Sequence, residues 1–138
     1  MRLYTDTDVR RFLGGPVDEQ TIHLRFAKLQ KTDELNQCWV IRLKKDSSFV
    51  GIVSLGTHHD GIDTEISYLL LPEWWGRGYA TEAVQAVVTH ALTSLGLPRV
   101  IAETQIANRA SCRLLERIGM RLQRRVERFG AKQGIYTT

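Results

Sequence analysis

The residues best suited to chemistry are concentrated in the run Glu65–Thr81, which reads E-I-S-Y-L-L-L-P-E-W-W-G-R-G-Y-A-T. An apolar segment, Ile66 to Leu71, is halted by Pro72, and the glycines Gly76 and Gly78 precede a periodic segment that begins near Tyr79. The first turn of a helix has N–H groups without intrahelical partners, and glycine lets a backbone approach an anion closely. Strand, glycine loop and helix in that order therefore predict an anion site. The plain alternative is a tight strand-to-helix turn with no ligand. A dinucleotide fingerprint is a third reading, with Glu103 as the ribose-binding acid at the end of the next strand. Against it, Pro72-Glu73-Trp74-Trp75 separate the strand from its first glycine. No Gly-Lys-Ser/Thr occurs, which excludes a Walker loop. His58 and His59, beside Asp60-Gly61, read as turn residues, and without a third and fourth ligand no zinc site is expected.

The elements that must position this loop follow from periodicity. Ala80, Ala83, Val84, Val87, Val88, Ala91, Leu92 and Leu95 recur at three- and four-residue intervals and predict one long amphipathic helix. Upstream, Asp6–Leu13 reads as a short helix capped by Thr5 or Asp6 and ended by Gly14-Gly15-Pro16. A second helix is expected over Asp18 to about Lys31, burying Ile22, Phe26 and Leu29. Cys38–Leu43, Phe49–Leu55 and Glu65–Leu71 read as three strands of an antiparallel meander, with turns at Lys44–Ser48 and His58–Gly61. After the long helix, Arg99–Thr104 reads as a buried strand, Ala110–Ile118 as a short helix and Met120–Phe129 as a strand. Gly130–Gly134 reads as a turn into a last strand, Ile135–Thr138, that the chain barely completes. A crossover helix between Glu65–Leu71 and Arg99–Thr104 makes those two strands parallel. That leaves too little parallel sheet for a doubly wound domain. The fold class is α/β (α+β) with a mixed central sheet.

The chain has 138 residues and a net charge of +4, enough for one domain over residues 1–138 with a real core. No apolar run approaches the roughly 20 residues needed to span a membrane, and no signal-peptide pattern opens the chain. Cys38 and Cys112 are far apart without metal-like spacing, which suits a reducing cytoplasm. Arg113, Arg117, Arg121, Arg124, Arg125 and Arg128 make the last third basic. A solvated face and a surface for RNA or an acidic protein are both compatible with that, but no aromatic ladder supports stacking on single strands.

The second half of the chain narrows the choice. Asn108-Arg109-Ala110-Ser111-Cys112-Arg113-Leu114-Leu115-Glu116-Arg117-Ile118-Gly119-Met120, taken with P-E-W-W-G-R-G-Y-A-T-E-A, resembles the GNAT superfamily of acyl-CoA N-acyltransferases. The N-x-x-S-x-x-L-L-E-R-x-G-M form looks most like its ribosomal-protein alanine/serine N-acetyltransferase branch. The resemblance covers about Cys38 to Phe129. It implies that the parallel pair splays apart at mid-sheet and that acetyl-CoA lies in the cleft. It assigns backbone groups of Tyr68, Leu69 and Leu70 to the pantetheine arm, and the main chain of Gly76, Arg77, Gly78, Tyr79, Ala80 and Thr81 to the pyrophosphate. Asn108 would bind the cofactor, while its ordinary role is an N-terminal helix cap.

The implied reaction is direct attack of an amine on a thioester, with no metal. It needs a proton acceptor, stabilisation of the oxyanion and a donor to the departing sulfur. Glu65 and Glu103 are the base candidates, one on each strand lining the cleft. Alternation places Ser67 and Leu69 on the same face as Glu65. The plainer readings are a solvated edge carboxylate for Glu65 and a structural ion pair with an arginine for Glu103. Many superfamily members carry a tyrosine seven residues after the asparagine, and here that position is Leu115. Ser111 is the substitute donor, through a hydrogen bond to the sulfur. Otherwise it is a first-turn residue bonding to backbone. Cys112 reads as a small buried residue, with acyl acceptor the sharper alternative. Trp75, where a Gln or Arg often begins the loop, is expected to pack beneath it.

The resemblance implies an acceptor that is a primary amine, either a protein α-amino group or a small molecule, and a cytoplasmic enzyme without membrane or nucleic-acid partners. A CoA-binding module without catalysis and a basic nucleic-acid-binding domain are the alternatives from other classes. The branch usually opens with a strand, which is apparently missing here. The edge so left predicts a homodimer.

Overall fold

The computed structural model describes residues 2–13, 15, 17–18, 20, 36–58 and 61–138. Among these, six strands form one mixed sheet: β1 (Gln37–Arg42), β2 (Phe49–Thr57), β3 (Thr64–Leu70), β4 (Ile101–Gln105), β5 (Arg121–Arg128) and β6 (Ala131–Thr137). Among the described residues, helices α1 (Arg2–Thr5), α2 (Tyr79–Thr93) and α3 (Arg109–Arg117) accompany them. The sheet order is β1-β2-β3-β4-β6-β5.

The meander and the crossover form as the sequence pattern predicts. β1 runs antiparallel to β2, and β2 to β3 over seven residue pairs from Gly51↔Leu70 to Thr57↔Thr64. At Gly51 no side chain fits, because a Cβ would lie 2.2 Å from the Leu69 carbonyl oxygen. α2 then carries the chain over the sheet, so β4 lies parallel to β3. Their ladder has one register pair, Glu65↔Ile101, and the strands separate beyond it. α2 buries Val84, Val87, Val88 and Ala91 against Val53, Leu55, Ile66 and Ala102, with Leu114, Leu115 and Met120 completing the core. A second cluster of Leu3, Tyr4, Val9 and Leu71 brings the N-terminal segment against Ile52 and Leu69.

Three expectations change. The first helix occupies Arg2–Thr5, while 7–13 are turns. Asp6 Oδ1 accepts from the backbone N–H of Asp8 and Val9, a local bond that competes with helix propagation. The C-terminal turn is only Phe129-Gly130, both at positive φ (54° and 72°), a geometry that matches hairpin twist. Gly134 therefore lies inside β6, where a Cβ would come within 3.1 Å of Leu122. β6 is a full strand inserted between β4 and β5. Of the helix expected over Asp18 to about Lys31, only Asp18 and Gln20 are among the described residues. Among those residues no strand precedes β1, and β1 pairs with β2 alone.

Candidate active site

The glycine loop takes the strand–loop–helix conformation that its sequence predicts. Gly76 and Gly78 take left-handed backbone (φ 71° and 82°), which costs little only for glycine. A short 3-10 turn, Pro72–Trp74, leads into them. Gly78 is the N-cap of α2 and offers no side-chain cap, so the first-turn N–H groups of Tyr79, Ala80 and Thr81 face outward without a capping side chain. A Cβ built on either glycine meets nothing within 4 Å, so open space stands in front of the loop. Uncapped donors at the positive end of a helix dipole, facing open space, fit a pyrophosphate. Trp74 stiffens the loop. Its indole N–H donates to the Phe49 carbonyl at 3.1 Å, Tyr79 meets it edge-on, and the Arg77 guanidinium sits 5.4 Å above its ring. Trp75 does not pack beneath the loop. It is 48% exposed, and its indole N–H donates to the Leu70 carbonyl at 2.9 Å. That bond takes up one of the backbone groups expected to meet the pantetheine arm.

The two glutamates meet at the root of the splay, where β3 and β4 are still paired. Glu65 Oε2 accepts from the Glu103 backbone N–H at 3.3 Å. Glu103 Oε1 accepts from His58 Nε2–H at 2.9 Å, and both side chains are buried, 5% and 0% exposed. Arg128 Nε approaches the same oxygen at 3.5 Å, an ion contact without hydrogen-bond geometry. The structure thus gives Glu103 the ion-pair role that an arginine partner would predict, together with an imidazole. Glu65 is only half-buried.

His58 is the residue whose burial sequence reasoning misses. It stands in a turn, its N–H donating to the Asp63 carbonyl, but its ring is fully buried. Alternation in β2 carries Val53 and Leu55 inward and runs on toward Thr57, so no periodic signal marks the next residue. Arg128 likewise leaves the solvated face to which its neighbours Arg121, Arg124 and Arg125 belong.

On the helix side of the cleft, Asn108 caps α3, its Oδ1 accepting from the Ser111 N–H at 3.3 Å. The Ser111 hydroxyl is hydrogen-bonded to the Tyr68 hydroxyl, which reaches it from β3 across the splay. Sequence reasoning assigns Tyr68 only through its backbone, and α3 does not identify which side chain it meets. Burial pushes the Tyr68 phenol up to about 12, against the lowering effect of Ser111. Leu115 is fully buried in the core, so no proton donor stands at that position. Cys112 is half-buried, with long contacts to the Gln105 and Ile106 carbonyls at 3.8 and 3.9 Å, the situation of a small packing residue.

Strand alternation separates these groups by face. Ile66 and Tyr68 face α2 and α3, whereas Glu65, Ser67 and Leu69 face the other way, where Leu69 meets the N-terminal segment. A carboxylate therefore reaches the cleft from one side and a hydroxyl pair from the other. Among the described residues no group of three or more His, Cys, Asp or Glu is arranged to hold a metal, and no helix is long and apolar enough to cross a membrane.

Comparison with known proteins gives this arrangement a context. The family model for the acetyltransferase (GNAT) domain matches residues 1–121. The uncharacterized N-acetyltransferase YnaD of Bacillus subtilis is 27% identical over 117 residues, 85% of this chain and 68% of that protein. Among solved structures, a GNAT-family acetyltransferase from Bacillus anthracis superposes with a TM-score of 0.84 at 23% identity, covering 99% of this chain and 84% of its own. A spermidine N-acetyltransferase from Vibrio cholerae, solved with CoA and spermine, superposes with a TM-score of 0.80 at 17% identity, covering 99% and 83%.

Proposed function

Because the chain belongs to the GNAT acetyltransferase family, we propose that it transfers an acetyl group from acetyl-CoA directly to a primary amine, with Glu65 as the proton acceptor. The observation that carries this reading is the parallel pair joined only at Glu65↔Ile101, with the uncapped N-terminus of α2 following the other end of β3. Acetyl-CoA supplies the acetyl group and a thiol leaving group.

The N–H groups of Gly76 to Thr81, with Arg77, hold the pyrophosphate. Exposed backbone of Tyr68 and Leu69 on the splayed edge pairs with the pantetheine arm, and Asn108 positions the start of α3. Glu65 takes the proton lost by the amine, directly or through one water. Glu103 is the weaker base candidate, since its Oε1 already accepts from His58 and meets Arg128. It fixes the root of the cleft and, through its N–H, the Glu65 carboxylate. Ser111 donates a hydrogen bond to the sulfur as the carbon–sulfur bond breaks and the electron pair moves to sulfur.

The acceptor is a protein α-amino group or a small amine. The Vibrio cholerae neighbour, a spermidine enzyme solved with spermine, supports including polyamines among the candidates. Calorimetric titration with acetyl-CoA, followed by turnover on a panel of N-terminal peptides and polyamines, tests the reading. Binding with turnover on one class is the expected result. No binding at millimolar acetyl-CoA overturns it.

A further inference from the structure

We propose that Tyr68 is a positioning residue that holds the Ser111 hydroxyl so that its one hydrogen points at the departing sulfur. The inference rests on the reading of Ser111 as the donor to sulfur and deepens it.

The geometry joins two elements that the sequence keeps 43 residues apart. Tyr68 stands on β3 and Ser111 in the first turn of α3, on opposite lips of the splay, and their hydroxyls are hydrogen-bonded to each other. Asn108 Oδ1 holds the Ser111 backbone N–H, which fixes where the serine side chain begins. The hydroxyl is therefore not spent on α3's own backbone, as a first-turn serine otherwise tends to be.

Each hydroxyl has a single hydrogen, so the direction of the bond decides what remains for a ligand. A phenol is a stronger acid than an alcohol and so the better donor. A largely buried tyrosine also needs an acceptor for its O–H. Tyr68 thus donates and Ser111 accepts, leaving the Ser111 hydrogen for an acceptor in the cleft. Were the bond reversed, Ser111 would have nothing to give. With its phenol pushed up to about 12, Tyr68 keeps its proton throughout the physiological range. Two hydroxyls in series also polarise each other, which strengthens the outer bond. Leu115 adds a negative argument, for it fills the core and brings no hydroxyl to the site.

The protons balance without ionising Tyr68. Glu65 receives the proton lost by the amine and later yields it to solvent. The thiolate, stabilised by Ser111 as it leaves, takes its proton from solvent.

A different role for the same contact would be a bar across the cleft that acetyl-CoA must break to enter. The two roles give opposite results. Tyr68→Phe, which keeps the ring packed, Ser111→Ala and the double variant are compared in two ways. One is the pH titration of the CoA thiol in the binary complex, followed by thiolate absorbance. The other is kcat together with the Kd of acetyl-CoA. The positioning role predicts that bound CoA ionises at lower pH than free CoA, and that Tyr68→Phe moves the titration back toward the free value. It also predicts that Tyr68→Phe lowers kcat about three- to tenfold, the worth of one net hydrogen bond, with Kd changed less than about twofold. The double variant is expected to be no worse than Ser111→Ala. Tighter acetyl-CoA binding with unchanged kcat and thiol titration in Tyr68→Phe overturns the proposal in favour of the bar. Multiplying effects in the double variant overturn it too, because Tyr68 would then act independently. If Ser111→Ala alone leaves the thiol titration and kcat unchanged, the donor reading of Ser111 falls and this inference falls with it. If only Tyr68→Phe is silent, the donor reading stands and this inference alone is lost.

Discussion

The glycine loop and the root of the splay sit on the same strand pair, yet they are built in opposite ways. The loop is six consecutive residues, Gly76 to Thr81, whose contribution is main-chain N–H groups and open space. The root gathers His58, Glu65, Glu103 and Arg128, from four separate elements or turns, through side chains. Binding an anion by backbone asks only for the right local conformation, which glycine and a helix start supply. Placing a proton acceptor asks for a tertiary contact that no single segment contains.

Substitutions in the two regions should therefore fail differently. Glu65→Gln keeps the oxygen that accepts the Glu103 N–H but loses the basic carboxylate. It should lower kcat about 10²- to 10³-fold, the usual worth of a positioned base, with little change in melting temperature. Equal kcat in steady-state assays would shift the base to Glu103 and blur the comparison. Glu103→Ala should act the other way, because it removes the buried carboxylate that the His58 ring and the half-buried Arg128 guanidinium both meet. The expected cost is about 3 kcal/mol, or roughly 10 °C in Tm for a domain of this size, read by thermal melting.

In the loop, binding should be lost at a smaller cost in stability than at the root. Gly78→Val strains a left-handed residue by about 1–2 kcal/mol and puts a side chain into the cradle. We expect acetyl-CoA binding to weaken about 100-fold by calorimetry, and affinity close to that of the unaltered chain would show that the cradle is not the phosphate site. The smallest effect belongs to Arg77→Ala. The guanidinium over Trp74 is exposed, so its loss should weaken binding about threefold at low salt and less at high salt. A change that persists at high salt would mean that Arg77 contributes more than charge.

The parts governed by short-range rules were legible in the residues alone. The meander, the α2 stripe from Ala80 to Ala91, the parallel setting of β3 and β4, and the Gly78 helix start follow from periodicity, glycine geometry and crossover handedness. The Asn108 cap was legible for the same reason, since a cap is satisfied within three residues. The Arg2–Thr5 helix escaped because the Asp6 carboxylate takes the N–H groups of Asp8 and Val9, which would otherwise continue that helix. β6 escaped because Gly134 reads as a turn residue until Leu122 is seen to fill the space beside it. The packing of sheet and helices set which face of the cleft each side chain serves. It closed His58 onto Glu103 across 45 positions and Tyr68 onto Ser111 across 43. These pairings depend on how β2, β3, β4 and α3 stack, and stacking is set by the volume of the shared core around Ile66, Val88 and Leu115. A spacing rule extends over a turn or a strand, whereas these contacts form only once that core has closed.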